Sequence, residues 1–130
     1  MRFGSVITAA IAGLVVLSAP AAAAEVRKFD QTSFAQAQRQ GRPILVDVTA
    51  EWCTVCKAQG KQISAITRNP AFNKLLILRL DYDRQKAQRR RLNVPRQSTL
   101  IAYRGQKETG RLVAVSERKA IESLLRSAVR

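Results

Sequence analysis

An apolar run that leads into two closely spaced cysteines constrains this chain more than any other stretch. Ile44-Leu45-Val46-Asp47-Val48 is followed by Thr49-Ala50-Glu51-Trp52 and then by Cys53-Thr54-Val55-Cys56. A short aliphatic run of this kind reads as a strand buried on both faces. Ala50-Glu51-Trp52 is a connector, and a helix is expected from about Cys53 to Thr67, broken by Asn69-Pro70. The spacing lets the two sulfurs meet across one helical turn. The helix start also surrounds the first sulfur with unpaired backbone N–H groups and the positive end of the helix dipole, which stabilise a thiolate. Cys53 is therefore expected to be the more exposed, lower-pKa nucleophile, and Cys56 the more buried resolving thiol.

These are the only two cysteines in 130 residues. A disulfide across so small a loop removes little entropy from the unfolded chain, so stapling explains the pair poorly. With no histidine and no second Cys-x-x-Cys, the chain lacks the donors of a four-ligand structural zinc site. Its one methionine is Met1, which leaves copper without soft accessory ligands. No metal and no cofactor beyond the redox-active disulfide is expected.

The remaining elements follow from periodicity and punctuation. Asp30, Thr32 and Ser33 are candidate caps for a helix over 34–40, which Gly41 stops. Leu75–Leu80 and Thr99–Tyr103 read as two more buried strands, and 109–115 as a fourth, joined to the third by a turn at 104–107. A short edge strand is expected near Val26–Phe29. The stretch 81–93 is polar and basic and reads as a loop with a solvent-facing helix. Ser116 is the candidate cap of a last helix with Ile121, Leu124, Leu125 and Ala128 on one face. Early strands that alternate with helices imply parallel crossovers, and the last two strands are close enough for a hairpin. The expected fold class is α/β, a central mixed sheet of four to five strands with helices on both faces.

The start of the chain reads differently. Arg2, the apolar run Val6–Leu17 and the small residues Ser18-Ala19-Pro20 and Ala21–Ala24 have the layout of a secretory signal peptide over 1–24. The run falls short of the roughly 20 residues of a membrane span, which disfavours the alternative of an uncleaved anchor. The folded domain is then 25–130, in the periplasm. Net charge is +14, densest at Arg89-Arg90-Arg91. Such a balance suits acidic partners, anionic lipid or nucleic acid. Export removes nucleic acid, and a solvated basic face with weak contact to an anionic membrane surface is the reading kept.

From Ile44 to Lys57 the sequence resembles the active-site segment of the thioredoxins, and it is closest to exported thioredoxin-like domains such as the C-terminal domain of the bacterial transmembrane disulfide reductase. The resemblance spans about 27–129 and rests on Trp52-Cys53-x-x-Cys56-Lys57 after an acidic residue in the strand. It implies a thioredoxin-like fold and protein disulfides as substrates. It implies that Asp47 is a buried carboxylate below the redox pair that assists proton transfer from Cys56, and that Trp52 packs beside the active site. Arg79 falls where several thioredoxins carry a lysine able to pair with that acid; an exposed arginine at a strand end is the competing reading.

The family also carries a cis-proline opposite the redox pair. Here Ser98 stands in that place, before Thr99-Leu100-Ile101, and the two are the candidate substrate-binding residues. The sequence leaves the isomer before Ser98 open, since a non-proline cis bond costs about 3 kcal/mol or more. Strong oxidants of this superfamily usually place a histidine between the cysteines, whereas Thr54-Val55 carries no charge, which tilts the reading toward a reductant or thiol-transfer protein. With no flavin or nicotinamide motif, the chain needs an electron donor, and a membrane-embedded reductase is the one expected. The alternative is a redox-silent thioredoxin-like scaffold or metal-binding protein.

Overall fold

The computed structural model describes Gly4, residues 13–18 and residues 23–130. The elements run β1 (Glu25–Lys28), α1 (Gln31–Arg39), β2 (Pro43–Thr49), α2 (Thr54–Ile66), a single 3₁₀ turn (Pro70–Phe72), β3 (Leu76–Asp81), α3 (Lys86–Arg91), β4 (Thr99–Arg104), β5 (Lys107–Val113) and α4 (Arg118–Val129). They form one five-stranded mixed sheet in the order β1-β3-β2-β4-β5. β1, β3 and β2 are parallel, and β4 and β5 return antiparallel.

The aliphatic run predicted as a buried strand is the middle of this sheet, and the period of two divides it between two cores. Ile44, Val46 and Val48 join Leu76, Leu78, Leu80, Ile101 and Tyr103 on the face where Phe34 and Ala37 of α1 pack. Leu45 joins Ile77, Leu100 and Ala102 on the opposite face, under Ile63 and Ile66 of α2 and Ile121, Leu124, Leu125 and Ala128 of α4. Each of the larger side chains contributes about 1.5–3 kcal/mol by leaving water. By the same alternation Asp47 falls on the α2 face, in register with Arg79 of β3.

Local chemistry fixes the ends of the elements. Asp30 caps α1 by accepting from the backbone N–H of Ser33 at 2.9 Å. Gly105, at φ +59°, turns the β4–β5 hairpin so close to Gly41 that a Cβ there would lie 3.0 Å from the Gly41 Cα. Ser116 does not cap the last helix: Glu117 holds that position, with no side-chain bond, and α4 is held by its apolar face instead. β5 begins at Lys107 rather than 109, because pairing with Arg104 closes the hairpin directly. Most of the expected signal peptide, 1–24, lies outside the described residues. Within its described part, Leu14, Val15, Val16 and Leu17 are 75–90% exposed.

Candidate active site

Parallel β2 delivers the chain at its carboxyl end to the start of α2, and both cysteines sit at that junction. Cys53 is the N-cap of α2, and its Sγ accepts the backbone N–H of Cys56 at 3.1 Å. The two cysteines are joined as a disulfide with Cα atoms 5.2 Å apart. The expected contrast in exposure is absent: Cys53 is 3% and Cys56 6% exposed. Val55 and Tyr82 pack against the cluster that the pair forms with Ala50.

Hydrogen bonding, not exposure, distinguishes the two sulfurs. Cys53 Sγ faces a donor, which favours its thiolate. Cys56 Sγ lies 3.8 Å from the carbonyl oxygen of Val48, an acceptor that favours the protonated thiol. The two sulfurs thus differ in the polarity of their neighbours, a donor at Cys53 and an acceptor at Cys56.

Asp47 is 2% exposed, its Oδ1 has no hydrogen-bond partner, and its Oδ2 is 3.7 Å from Arg79 Nε. Burial pushes its pKa up to about 6, and the Arg79 guanidinium opposes that shift only in part. Asp47, Cys56, Lys57, Gly60 and Arg79 are among the residues that line one cleft of about 290 Å³, so that Asp47 and Cys56 border a common space. Trp52 stands on the rim, 61% exposed, because its indole Nε1–H is drawn outward to donate to Asp83 Oδ2 at 2.9 Å.

Ser98 occupies the place of the family's proline with a different backbone. There is no cis peptide bond among the described residues, and Ser98 sits at φ +60°, a left-handed conformation that costs a non-glycine residue about 1–2 kcal/mol. Its N–H donates to Val48 O at 2.9 Å, the same carbonyl that faces Cys56 Sγ. A proline has no N–H and could not make this bond. The Ser98 hydroxyl donates to the Gln97 carbonyl, and Thr99 Oγ1 donates to Arg96 O at 2.7 Å. Both hydroxyls are therefore spent on their own loop, and Ser98 and Thr99 are fully buried.

One participant had no signal of its own in the sequence. Gln59 of α2 is fully buried, and its Nε2 donates to Ser98 O and to Val115 O, each at 3.0 Å. It lies one turn after Cys56, so α2 carries both the redox sulfur and the clamp that holds residue 98 against it. Gln59→Leu removes both bonds and is expected to destabilise the protein by about 1–3 kcal/mol. Urea unfolding of the oxidised protein measures this, with a lower midpoint at unchanged slope.

Among the described residues no three His, Cys, Asp or Glu side chains converge as metal ligands. The reactive group is the cysteine pair.

The comparisons agree with this geometry. The thioredoxin family model matches residues 25–127. A thioredoxin of Streptomyces clavuligerus is 28% identical over 92 residues, which is 71% of this chain and 84% of that protein. The same identity over 92 residues, 71% of this chain, relates it to a bifunctional thioredoxin reductase/thioredoxin of Mycobacterium leprae, of which it spans only 20%. The crystal structure of Trxlp from Edwardsiella tarda EIB202 superposes with a TM-score of 0.75 at 37% identity, covering 78% of this chain and 98% of that one. A cysteine pair so placed cycles between disulfide and dithiol, and the protein is a thiol–disulfide oxidoreductase. The family match takes in the whole sheet, the redox helix α2 and nearly all of α4: this chain belongs to the thioredoxin family.

Proposed function

We propose that the protein works outside the cytoplasm as a reductant of protein disulfides and is itself re-reduced by a membrane-embedded donor. The donor–acceptor polarity across the two sulfurs carries this reading: Cys53 Sγ receives an N–H while Cys56 Sγ faces a carbonyl. The residues between them, Thr54 and Val55, add no charge that would stabilise the thiolate further. A moderately rather than extremely stabilised thiolate belongs to a reductant. For export, the support is the apolar run near the start, whose described residues Leu14–Leu17 are 75–90% exposed.

The reaction proceeds in two exchanges. The Cys53 thiolate attacks one sulfur of a substrate disulfide, and the other substrate sulfur leaves as a thiolate that takes a proton from water. Cys56 then gives its proton to the ionised Asp47 carboxylate by way of the shared cleft. Its sulfur attacks Cys53 Sγ, and the second substrate thiolate leaves and takes a proton from water, while Asp47 returns the Cys56 proton to solvent. The substrate gains two electrons and two protons, and Cys53–Cys56 becomes the disulfide seen here. Trp52, exposed beside the pair, offers the approaching protein a flat apolar contact.

The test is the reduction potential of the pair, equilibrated against thiol buffers. A value near that of thioredoxin, about −270 mV, is expected. A value near about −120 mV would make the protein an oxidant instead. Failure to form a reversible disulfide at any poise would end the redox reading.

A further inference from the structure

The segment from Gln85 to Gln97 holds five cations, Lys86, Arg89, Arg90, Arg91 and Arg96, and not one Asp or Glu. Among the described residues none of the five forms an ion pair, although Arg84, just before them, is paired with Asp81 and Glu51. Like charges one turn apart repel. The helix that carries four of them, α3, is only six residues long and has no side-chain N-cap bond. Lys86 has Arg89 and Arg90 one turn on, and that repulsion is relieved when an anionic partner arrives.

Position distinguishes this patch from a merely solvated face. The Arg89 guanidinium stacks 3.9 Å from the centroid of the Tyr82 ring, and Tyr82 packs on the Cys53–Cys56 cluster. At its other end the segment runs directly into Ser98, which is bonded to the carbonyl that faces Cys56. The Arg111 guanidinium donates to Leu92 O and Asn93 O and ties the end of the segment to β5. The basic surface is thus anchored and continuous with the redox rim, where exposed Trp52 stands. Aromatic and arginine side chains stacked together, as Tyr82 and Arg89 are, belong to the composition of a protein-binding surface. A membrane-surface helix needs an apolar face free to insert, but here Leu92 and Val94 are packed against the sheet.

We propose that the 85–97 surface docks acidic segments of protein substrates and steers their disulfides to Cys53. This rests on the oxidoreductase reading and names the partner chemistry of that site. The binding is electrostatic, so its first signature is in association rate and salt dependence.

The experiment uses two synthetic peptides, each with one internal disulfide, that differ only in having four glutamates or four lysines as flanks. The purified, reduced chain is oxidised by each peptide, and by neutral hydroxyethyl disulfide, in low and in high salt. The glutamate peptide is expected to react at least about tenfold faster than the lysine peptide at low salt, and the gap to close at high salt. The variant Arg90→Gln/Arg91→Gln/Arg96→Gln loses the preference while its rate with hydroxyethyl disulfide is unchanged. A control, Arg39→Gln/Arg68→Gln/Lys74→Gln, removes the same charge at the opposite end of the sheet and keeps the preference. Absence of a preference, or equal loss in both variants, overturns the proposal. So does a result in which the 90/91/96 variant loses sedimentation with vesicles containing phosphatidylglycerol yet keeps its peptide preference; the surface would then serve membranes. If no disulfide oxidises the chain, the redox reading fails, and docking is judged separately by fluorescence anisotropy of the glutamate peptide with serines for cysteines.

Discussion

Cys53→Ser abolishes turnover of protein disulfides, whereas Cys56→Ser becomes locked to its substrate in a stoichiometric mixed disulfide. Both variants lose the same short-loop crosslink, worth about 2 kcal/mol in the chain-entropy model, so stability cannot separate them. Chemistry does. With Cys53 gone, the remaining sulfur faces the Val48 carbonyl, where its thiolate is disfavoured. With Cys56 gone, the Cys53 sulfur keeps its position at the start of α2 and attacks normally, but nothing follows to release the product. Non-reducing electrophoresis and intact-mass measurement distinguish the cases. A trapped adduct on Cys53→Ser in place of Cys56→Ser would reverse the assignment.

The second large effect belongs to Asp47. Its folded pKa, about 6, lies above the 3.8 of an ordinary aspartate, because burial opposes ionisation more than Arg79 favours it. The favourable contribution is therefore complete below about pH 4 and is lost as pH rises through 6. Over that interval the shift amounts to about 3 kcal/mol. Asp47→Asn removes this dependence. Relative to the wild type it gains about 3 kcal/mol between pH 4 and pH 8, equivalent to about 15 °C in Tm for a domain of this size. Parallel thermal scans of the two proteins across pH read the difference, and parallel pH profiles would show that Asp47 does not titrate in this range. The same substitution acts oppositely on rate. Wild-type release of substrate from the mixed disulfide rises with pH through about 6, as Asp47 becomes able to take the Cys56 proton. In the variant that limb is lost and release slows by about 10²-fold. A protein made more stable and less active by one atom pair is what a buried ionisable group kept for its chemistry looks like.

The legible parts of this protein are those in which one residue's identity answers one question. Ile44–Val48 could only be a buried strand, and the spacing of Ile121, Leu124, Leu125 and Ala128 matched one face of a helix; all four are buried. Cys53 and Cys56 announced their own chemistry. The illegible parts depend on pairs. Nothing in the sequence marks Gln59 as buried, since glutamine is ordinarily a surface residue; its place follows from two carbonyls supplied by residues 98 and 115. The hydrogen bond of Trp52 is equally unmarked, since its partner Asp83 lies thirty-one residues on. Tyr82 and Val55, which pack on the cluster of the two cysteines, carry no redox signature. Ser116 reads as a cap by type, but the chain enters α4 one residue later.

The bond from the Ser98 N–H to Val48 O has a consequence for how the site opens. With proline at this place the loop would be braced by a rigid ring and would carry no amide hydrogen. Here the β2–β4 ladder continues one rung past Thr99, into the wall of the redox centre. The wall is zipped rather than braced, and a zip can open from its end. Its opening is a local event with its own equilibrium, governed by the left-handed strain at Ser98 on one side and the Gln59 clamp on the other. The exchange of that single amide hydrogen with solvent reports the equilibrium directly, so the protein carries a reporter of its active-site breathing that a proline-bearing relative lacks.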